Sequence, residues 1–295
     1  MRVVIVGGSG LIGRALCNSL TIDGHEVIVS SRRPERVTGL PSGASVTTWD
    51  ASLPDGADAI VNLAGEGLAA KRWSQDRKRR ICQSRIEVGQ AVTRALASAR
   101  CKPGVLIQAS GVGYYGPSDD MVTEQTPPGH DFLANLAVEW EDSTREVKHL
   151  GVRRAIIRTG AVLTKKGGAL PRLLLPYRFF LGGPLGDGRQ WFPWIHLADE
   201  VSAIRFLLDN EGASGPFNLV APNPVTNLEL SRIVARQLRR PALLRTPAFV
   251  LRLLFGEMAS VVLEGQRAVP LKLLDFGYGY RFPEIGPALQ DLLRT

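Results

Sequence analysis

The chain has little cysteine, with three residues in 295, at positions 17, 82 and 101. Their wide spacing excludes both the paired framework of a disulfide-rich domain and a cysteine metal site. The four histidines show no metal-binding spacing either. We therefore expect ordinary thiols in a reducing compartment and no metal ion.

Long hydrophobic runs are also lacking, because no apolar stretch reaches the roughly 20 residues that span a bilayer. The longest candidates, near 170–180 and 249–255, are interrupted by Pro, Arg or Tyr. A strand pattern begins at Arg2, so we expect no leader before it. The sequence predicts no membrane partner and a cytoplasmic location, or an organelle interior if a targeting segment has been removed.

Acidic residues are the minority charge, with 28 against 36 Lys and Arg and a net charge of +8. The densest basic cluster, between Lys71 and Arg85, falls on a predicted helix with Trp73 and Ile81 facing inward. A nucleic-acid groove would need exposed aromatic residues among the basic ones or a recognised module, and neither is evident. We expect a solvated helix face and no nucleic-acid partner.

The sequence does contain a glycine-rich turn at its start. The β-branched run from Val3 to Val6 is followed by glycines at 7, 8, 10 and 13 and then by a helical pattern. Such a turn lets backbone N–H groups and a helix N-terminus approach a pyrophosphate. A second strand, Glu26–Ser31, arrives at the spacing of a dinucleotide-binding unit. The predicted cofactor residues of the turn are Gly7, Gly10, Leu11, Ile12 and Gly13.

The residues that end the second strand indicate which dinucleotide binds. The chain reads Ser30-Ser31-Arg32-Arg33-Pro34, where an NAD site usually has a carboxylate for the ribose 2′-OH. Arginines and hydroxyls suit a 2′-phosphate, and one charge-assisted bond of this kind contributes about 1.5–3 kcal/mol. The pattern favours NADP(H), and a solvated basic loop is the alternative.

Apolar runs then recur, separated by segments of helical length. They lie at 44–48, 57–63, 104–109, 154–158 and 216–220. This alternation predicts an α/β fold, a Rossmann-type doubly wound parallel sheet with a smaller C-terminal substrate lobe. At the carboxyl edge of the sheet, Asp50 is placed to accept from an adenine amino group, and Asn62-Leu63-Ala64-Gly65 leave room for a flat ring.

Further motifs run through nearly the whole chain. They include Gly7 to Gly13, Asn62-Leu63-Ala64-Gly65-Glu66, Lys71-Arg72-Trp73, Ala109-Ser110-Gly111-Val112-Gly113-Tyr114-Tyr115-Gly116, Arg158-Thr159-Gly160, Trp194-Ile195-His196 and Leu263-Glu264-Gly265-Gln266-Arg267. With these motifs the chain resembles the extended short-chain dehydrogenase/reductases. Among them it is similar to epimerase-family proteins, of the NADP-dependent oxidoreductase type, that carry a C-terminal domain of unknown function.

The resemblance implies a nucleotide half and a substrate half. Beyond the glycine turn, it implies NADP(H) contacts from Ser31, Arg32, Leu63, Ala64, Arg80, Arg85 and Arg158. Guanidinium groups suit this role because they fork onto phosphate oxygens.

The resemblance also implies two domains. Residues 1–242 form the nucleotide-binding domain, with a substrate lobe from parts of 165–195 and 220–242, and residues 243–293 form the domain of unknown function, packed on that lobe. Apolar residues at helical spacing within Pro247–Leu263 place Leu251, Leu254, Phe255 and Met258 on one face. We expect that face to be core, with a homodimer contact as the alternative.

The wider superfamily's catalytic Tyr and Lys, four residues apart, are missing. The segment Gly129–Glu141 that should carry them has neither residue, whereas Ser110 stands where the family's Ser is expected. The nearby Tyr115 is placed either to shape the substrate loop or to transfer a proton. Ser110 and Tyr115 are therefore the candidate catalytic residues.

Two functions follow from this pattern. One is an NADP-dependent oxidoreductase, or a sugar-nucleotide-epimerase-like enzyme, that acts on an unidentified small molecule with altered proton chemistry, since the cofactor itself carries the hydride. The other is an NADPH-binding regulatory or structural protein without turnover.

Overall fold

Strands and helices alternate along residues 1–294, the part of the chain that this computed structural model describes. The strands are β1 (Arg2–Val6), β2 (Glu26–Ser30), β3 (Ala44–Thr47), β4 (Ala59–Asn62), β5 (Val105–Gly111), β6 (Ser118–Val122), β7 (Arg153–Thr159), β8 (Ala161–Leu163), β9 (Trp191–Phe192), β10 (Trp194–His196), β11 (Gly215–Leu219), β12 (Val225–Thr226) and β13 (Gln266–Ala268). The α-helices are α1 (Leu11–Ile22), α2 (Gln75–Ser98), α3 (Phe132–Asp142), α4 (Leu170–Arg178), α5 (Leu197–Asp209), α6 (Asn227–Leu238), α7 (Ala248–Phe255), α8 (Ser260–Leu263), α9 (Leu271–Asp275) and α10 (Ile285–Leu293).

Seven parallel strands form the central sheet, in the order β11-β7-β5-β4-β1-β2-β3. All seven strands predicted from the sequence lie in it, so the Rossmann-type doubly wound sheet is confirmed. The order reverses at β1, because β2 and β3 extend to one side and β4 and its followers to the other. Open α/β sheets bind ligands outside the carboxyl ends of the strands at such a point.

Alternate side chains of β1 enter the cores on the two faces of the sheet. Val3 and Ile5 pack with apolar residues of α1 and α5, and Val4 and Val6 pack with those of α2. Because helices cover both faces, this strand is apolar without alternation.

A second core lies in the C-terminal lobe, where α4, α6 and α10 meet. Leu174, Leu230 and Leu289 are buried there together with Trp194. The lobe therefore takes residues from both sides of position 243, and the division at 242 stays a prediction.

Helix α7 is shorter than the sequence pattern suggests, because Gly256 with φ +61° ends it. Of the four residues placed on one face, only Leu251 is buried, whereas Leu254 and Phe255 are exposed. The expectation that this face is core is therefore wrong at Leu254 and Phe255, and a homodimer contact stays a prediction. Within residues 1–294, no helix is both long enough and apolar enough to cross a bilayer.

Candidate functional site

The turn between β1 and α1 packs its backbone directly against the loop after β4. A Cβ on Gly7, which has φ +80°, would lie 2.9 Å from the backbone of Ala64, and a Cβ on Gly13 would lie 2.5 Å from the Cα of Gly8. Side chains at these positions would collide with backbone, so the approach requires glycine. Helix α1 begins at Leu11, and its N-cap Gly10 has no side chain to accept from the first N–H groups. Those groups are left for an anion.

Two arginines that are distant in sequence converge beside this turn. Arg32 follows β2 with Ser31, and Arg80 lies on α2; both guanidinium groups are exposed. The charges of both act on the carboxylate of Glu66, in the loop after β4, and help to lower its pKa. Both arginines are therefore near Glu66 at one rim of the sheet edge, and their contact with a 2′-phosphate stays a prediction.

Glu66 does not leave that rim negative, because Arg77 neutralises it. The buried Arg77 forms an ion pair with Glu66 and donates to the carbonyl of Gly67 at 2.6 Å. The hydrogen bond from Arg77 is the main cause of the lowered pKa of Glu66. The expectation of a solvated face for this basic cluster is wrong at Arg77 and at Arg85, both of which are buried.

The side chain of Arg85 supports the loop after β4. Its two terminal nitrogens donate to the carbonyls of Ile81 and Glu66, each at 3.0 Å. A Cβ on Gly65 would lie 3.0 Å from the Cζ of Arg85, so glycine lets the loop rest on the guanidinium. Burial lowers the pKa of Arg85 to about 10, which leaves the group cationic at neutral pH.

Three other predicted cofactor residues lie on the same sheet edge. Leu63 donates its N–H to the carbonyl of Val6 at 2.8 Å, and Ala64 lies against Gly7. The exposed Asp50 accepts from the hydroxyl and N–H of Ser52, and these hydrogen bonds lower its pKa. Contacts of these residues with a nucleotide stay predictions.

A cavity of about 520 Å³ lies between the sheet edge and the C-terminal lobe. Ile12 of the glycine turn lines it, so the turn and the cavity adjoin. Trp191 and Phe192 form part of its wall, whereas Trp194 is buried in the lobe core. Of these three neighbouring aromatic residues, only Trp191 and Phe192 therefore contribute to the cavity wall.

Ser110 lines the cavity, and its hydroxyl forms a hydrogen bond to a buried carboxylate behind the cavity wall. It donates to Oε1 of Glu141 at 2.7 Å. Arg158 donates to both carboxylate oxygens of Glu141, at 2.8 and 2.9 Å, and all three side chains are buried. Burial disfavours the charge of Arg158, but the hydrogen bonds and charge of Glu141 hold its pKa above the ordinary value.

Tyr115 belongs to the same network and not to the cavity wall. Its hydroxyl donates to Asn218 at 2.6 Å and accepts from Arg158 at 3.0 Å. Burial raises its pKa to about 12, against the lowering effect of Arg158. Among the described residues, Tyr115 is not one that lines the cavity. The geometry therefore favours loop shaping over proton transfer for Tyr115.

The same contacts constrain the prediction for Arg158. Its guanidinium also stacks on the ring of Tyr114, 3.4 Å from the centroid. The guanidinium of Arg158 therefore has three partners within the protein, which are Glu141, Tyr115 and Tyr114. A contact with the cofactor stays a prediction.

The helix that should carry the Tyr and Lys is α3, and it presents an apolar surface to the cavity. Leu133, Leu136 and Trp140 line the wall. By register, Asp131 or Phe132 takes the Tyr place, and Asp131 caps the helix by accepting from the N–H of Ala134 at 2.7 Å. Asn135 or Leu136 takes the Lys place; Asn135 is exposed and Leu136 is buried. Neither candidate for the Lys place is basic, and among the described residues of α3 and its cap Asp131 is the only acid that lines the cavity.

Sequence reasoning missed Glu141 as a member of this buried network. A signal was present, because Glu141 follows Ala134 and Ala137 at helical spacing on the buried face of α3. A carboxylate on an apolar face predicts a buried cationic partner. That partner is Arg158.

A second missed carboxyl group, Glu200 on α5, lies behind the cavity wall. It is fully buried and accepts from the hydroxyl of Thr159, a cavity-lining residue, at 2.8 Å. Burial raises the pKa of Glu200 to about 8. At neutral pH this group therefore stays largely protonated and uncharged.

The sheet, the glycine turn and the adjoining cavity define a Rossmann-type nucleotide-binding protein with an appended lobe. Comparison of the sequence with family models makes this specific. Residues 3–220 match the NAD dependent epimerase/dehydratase family, and residues 246–292 match a domain of unknown function, DUF1731. The chain belongs to the NAD dependent epimerase/dehydratase family, as the motifs predicted.

Individual relatives agree over the full length. The chain is 39% identical to the epimerase family protein SDR39U1 of Bos taurus, over 99% of this chain and 100% of the relative. It is 36% identical to an epimerase family protein of Staphylococcus aureus, SA0724, over 99% of each.

Two solved structures are similar in both sequence and fold. The human epimerase family protein SDR39U1, crystallised with NADPH, superposes with a TM-score of 0.90 at 37% identity, over 99% of each chain. A protein of Corynebacterium glutamicum, described as a nucleoside-diphosphate sugar epimerase, has a TM-score of 0.80 at 33% identity; the match covers 99% of this chain and 58% of the other.

Proposed function

We propose that this chain is an NADP(H)-dependent oxidoreductase acting on a small molecule bound in the cavity. The observation that carries the proposal is the arrangement of Arg32 and Arg80 around one rim, beside a glycine turn that adjoins the cavity. The NADPH found in the related human structure supports the same cofactor here.

The residues present fit the cofactor. The glycine turn packs closely, since a Cβ at Gly7 or Gly13 would collide with the backbone of Ala64 or Gly8, and the start of α1 has no capping side chain to compete with a pyrophosphate. At the rim, Arg32 and Arg80 would hold a 2′-phosphate, and Arg77 cancels the charge of Glu66 that would repel it.

When bound, NADP(H) supplies the hydride chemistry. The chain's own residues bind, orient and shield the reactants. Arg85 fixes the loop under Gly65, and the lobe residues Leu173 and Leu185 contribute apolar wall to the cavity. Ser110 is held in one orientation by Glu141 and offers its oxygen lone pairs to the cavity.

A protein without turnover is the second candidate, and the apolar cavity face of α3 favours it. Where a proton donor is expected, the structure has Leu133, Leu136 and Trp140. An oxidoreductase with this wall would take its proton from water or substrate, and would turn over slowly.

Substrate-dependent oxidation of NADPH separates the two candidates. We expect slow oxidation with members of a panel of aldehydes and ketones, and its loss in Ser110→Ala with NADPH affinity nearly unchanged. Ser118→Ala is the matched control, because its hydroxyl bonds the Asp120 carbonyl in β6, outside the cavity. Turnover that survives Ser110→Ala would remove Ser110 from the site, and no turnover with any compound would favour the second candidate.

A further inference from the structure

The walls of the cavity are mainly apolar on every side. Helix α3 contributes Leu133 and Leu136, the lobe contributes Leu173 and Val261, and β9 contributes Trp191 and Phe192. A ligand that fills this space exchanges water for aliphatic and aromatic surface. Such a wall stabilises apolar groups and penalises buried charge.

The charged groups that line the cavity do not suit an anion. Among the described residues, Arg85 is the only Lys or Arg in its lining, and the acids Asp131 and Glu264 also line it. Arg85 is committed to the carbonyls of Ile81 and Glu66 on the cofactor side. A second phosphate-bearing molecule would therefore meet two acidic residues and a single cation, Arg85, whose two terminal nitrogens already bond backbone carbonyls.

Two other basic groups near the cavity, Arg158 and Arg267, do not belong to its lining. Arg158 is paired with Glu141 behind the wall. Arg267 lies over the ring of Trp191, 4.8 Å from its centroid, and is exposed outside the lining. The diphosphate of a nucleotide sugar needs several charge-assisted donors, and among the described lining residues one arginine stands against two acidic residues.

We infer that the substrate is an uncharged, mainly apolar carbonyl compound or its alcohol, and not a nucleotide sugar. This rests on the proposed function, since the cavity is taken as the substrate site. The hydroxyl and amide groups of Ser110, Thr159, Asn227 and Gln266 supply neutral hydrogen-bonding groups for one or two polar atoms. The bound molecule thus differs in class from the substrate named for the Corynebacterium glutamicum relative.

The test measures binding to the protein saturated with NADP⁺, so that no ketone is turned over. UDP-glucose is titrated against 2-decanone and menadione, with saturation-transfer NMR and calorimetry as readouts. We expect saturable binding of at least one apolar probe and none of UDP-glucose in the millimolar range. Saturable binding of UDP-glucose, or the failure of both apolar probes, would overturn the inference.

Two leucines of helix α4 show whether an apolar probe occupies the cavity. Leu173 lines it, whereas Leu175 on the same helix is exposed. Leu173→Gln should weaken probe binding about tenfold, because it places an amide in the apolar wall. Leu175→Gln should leave probe binding unchanged. Equal effects of the two substitutions would show that the probe binds elsewhere, which contradicts the inference.

Failure of this inference is distinguishable from failure of the proposed function. A protein that does not bind NADP⁺ at all loses the proposed function before any probe is added. A protein that binds NADP⁺ and UDP-glucose keeps the cofactor assignment and loses only the substrate class.

Discussion

Glu141 holds together the buried polar network behind the cavity. Its carboxylate accepts from Ser110 and twice from Arg158, and all of these groups are nearly excluded from solvent. Removing one member of a buried ion pair leaves the other charge without compensation, which costs about 3–5 kcal/mol.

Glu141→Gln should therefore lower the free energy of unfolding by roughly that amount, about 3–5 kcal/mol, measured by chemical denaturation. Glu139→Gln, on the exposed side of the same helix, is the control and should change it by less than about 0.5 kcal/mol. Equal losses for the two variants would mean that the ion pair does not stabilise the fold.

Glu200 makes the free energy of unfolding fall as the pH rises, which is the opposite of the usual effect of a carboxyl group. Burial raises its pKa from 4.5 to about 8 in the folded protein. Between these pH values the folded state binds more protons than the unfolded state, so the free energy of unfolding falls as pH rises, by up to about 1.4 kcal/mol per pH unit. The contribution of Glu200 to stability is complete below the pKa of the unfolded state, 4.5, and is lost as the pH rises through the pKa of the folded state, about 8.

Glu200→Gln should remove this contribution, because its amide does not titrate. The free energy of unfolding of the variant, relative to that of wild type, should rise by about 2 kcal/mol between pH 6 and pH 8. Chemical denaturation at each pH measures this difference. Glu87→Gln, at an exposed site on α2, should show a constant difference. A constant difference for Glu200→Gln as well would show that Glu200 is ionised in the fold.

At the scale of elements, the strands could be predicted and the partners of buried charges could not. The sheet strands are short apolar runs between turn residues, so local pattern specifies them. Glu141 and Arg158 lie on α3 and β7, and only the packing of that helix on the sheet joins them. Pairing across 17 residues leaves no periodic signal.

Helix α7 shows the opposite error, because the apolar spacing suggested a longer helix than the structure contains. A single residue, Gly256 in the left-handed region, ends the helix in the middle of the pattern. Its neighbours Leu253 and Leu254 are exposed and Leu251 is buried. Periodicity alone does not say which face is covered.

The turn between β1 and α1 can be tested by comparing two glycines of similar conformation. Gly7 has φ +80° and Gly24 has φ +77°, but only Gly7 faces backbone at 2.9 Å, while Gly24 has nothing within 4 Å. Gly24→Ala should cost only the left-handed strain of about 1–2 kcal/mol. Gly7→Ala should cost more and should also weaken NADPH binding at least about tenfold, measured by nucleotide fluorescence. Equal stability and unchanged NADPH affinity in both variants would contradict the close packing at Gly7.

At the scale of the whole molecule, α5 ties the sheet to the C-terminal segment. His196 caps the helix by accepting from the N–H of Ala198, and its ring packs on Phe282. The carboxylate of Asp199 accepts from the N–H groups of Arg281 and Phe282 at 2.7 and 2.9 Å. The histidine of the Trp194-Ile195-His196 motif thus has a structural role, as the cap of α5 and as a packing partner of Phe282.

The proposed function requires that the protein bind NADP(H) selectively. Parallel fluorescence titrations with NADPH and NADH test this most directly, using wild type, Arg32→Ala and, as control, Arg33→Ala. The charge of Arg32, unlike that of Arg33, acts on Glu66 at the cofactor rim. We predict that wild type binds NADPH roughly 10- to 100-fold more tightly than NADH, that Arg32→Ala loses most of this preference, and that Arg33→Ala keeps it. Equal affinities for the two nucleotides, or binding of neither, would contradict the account.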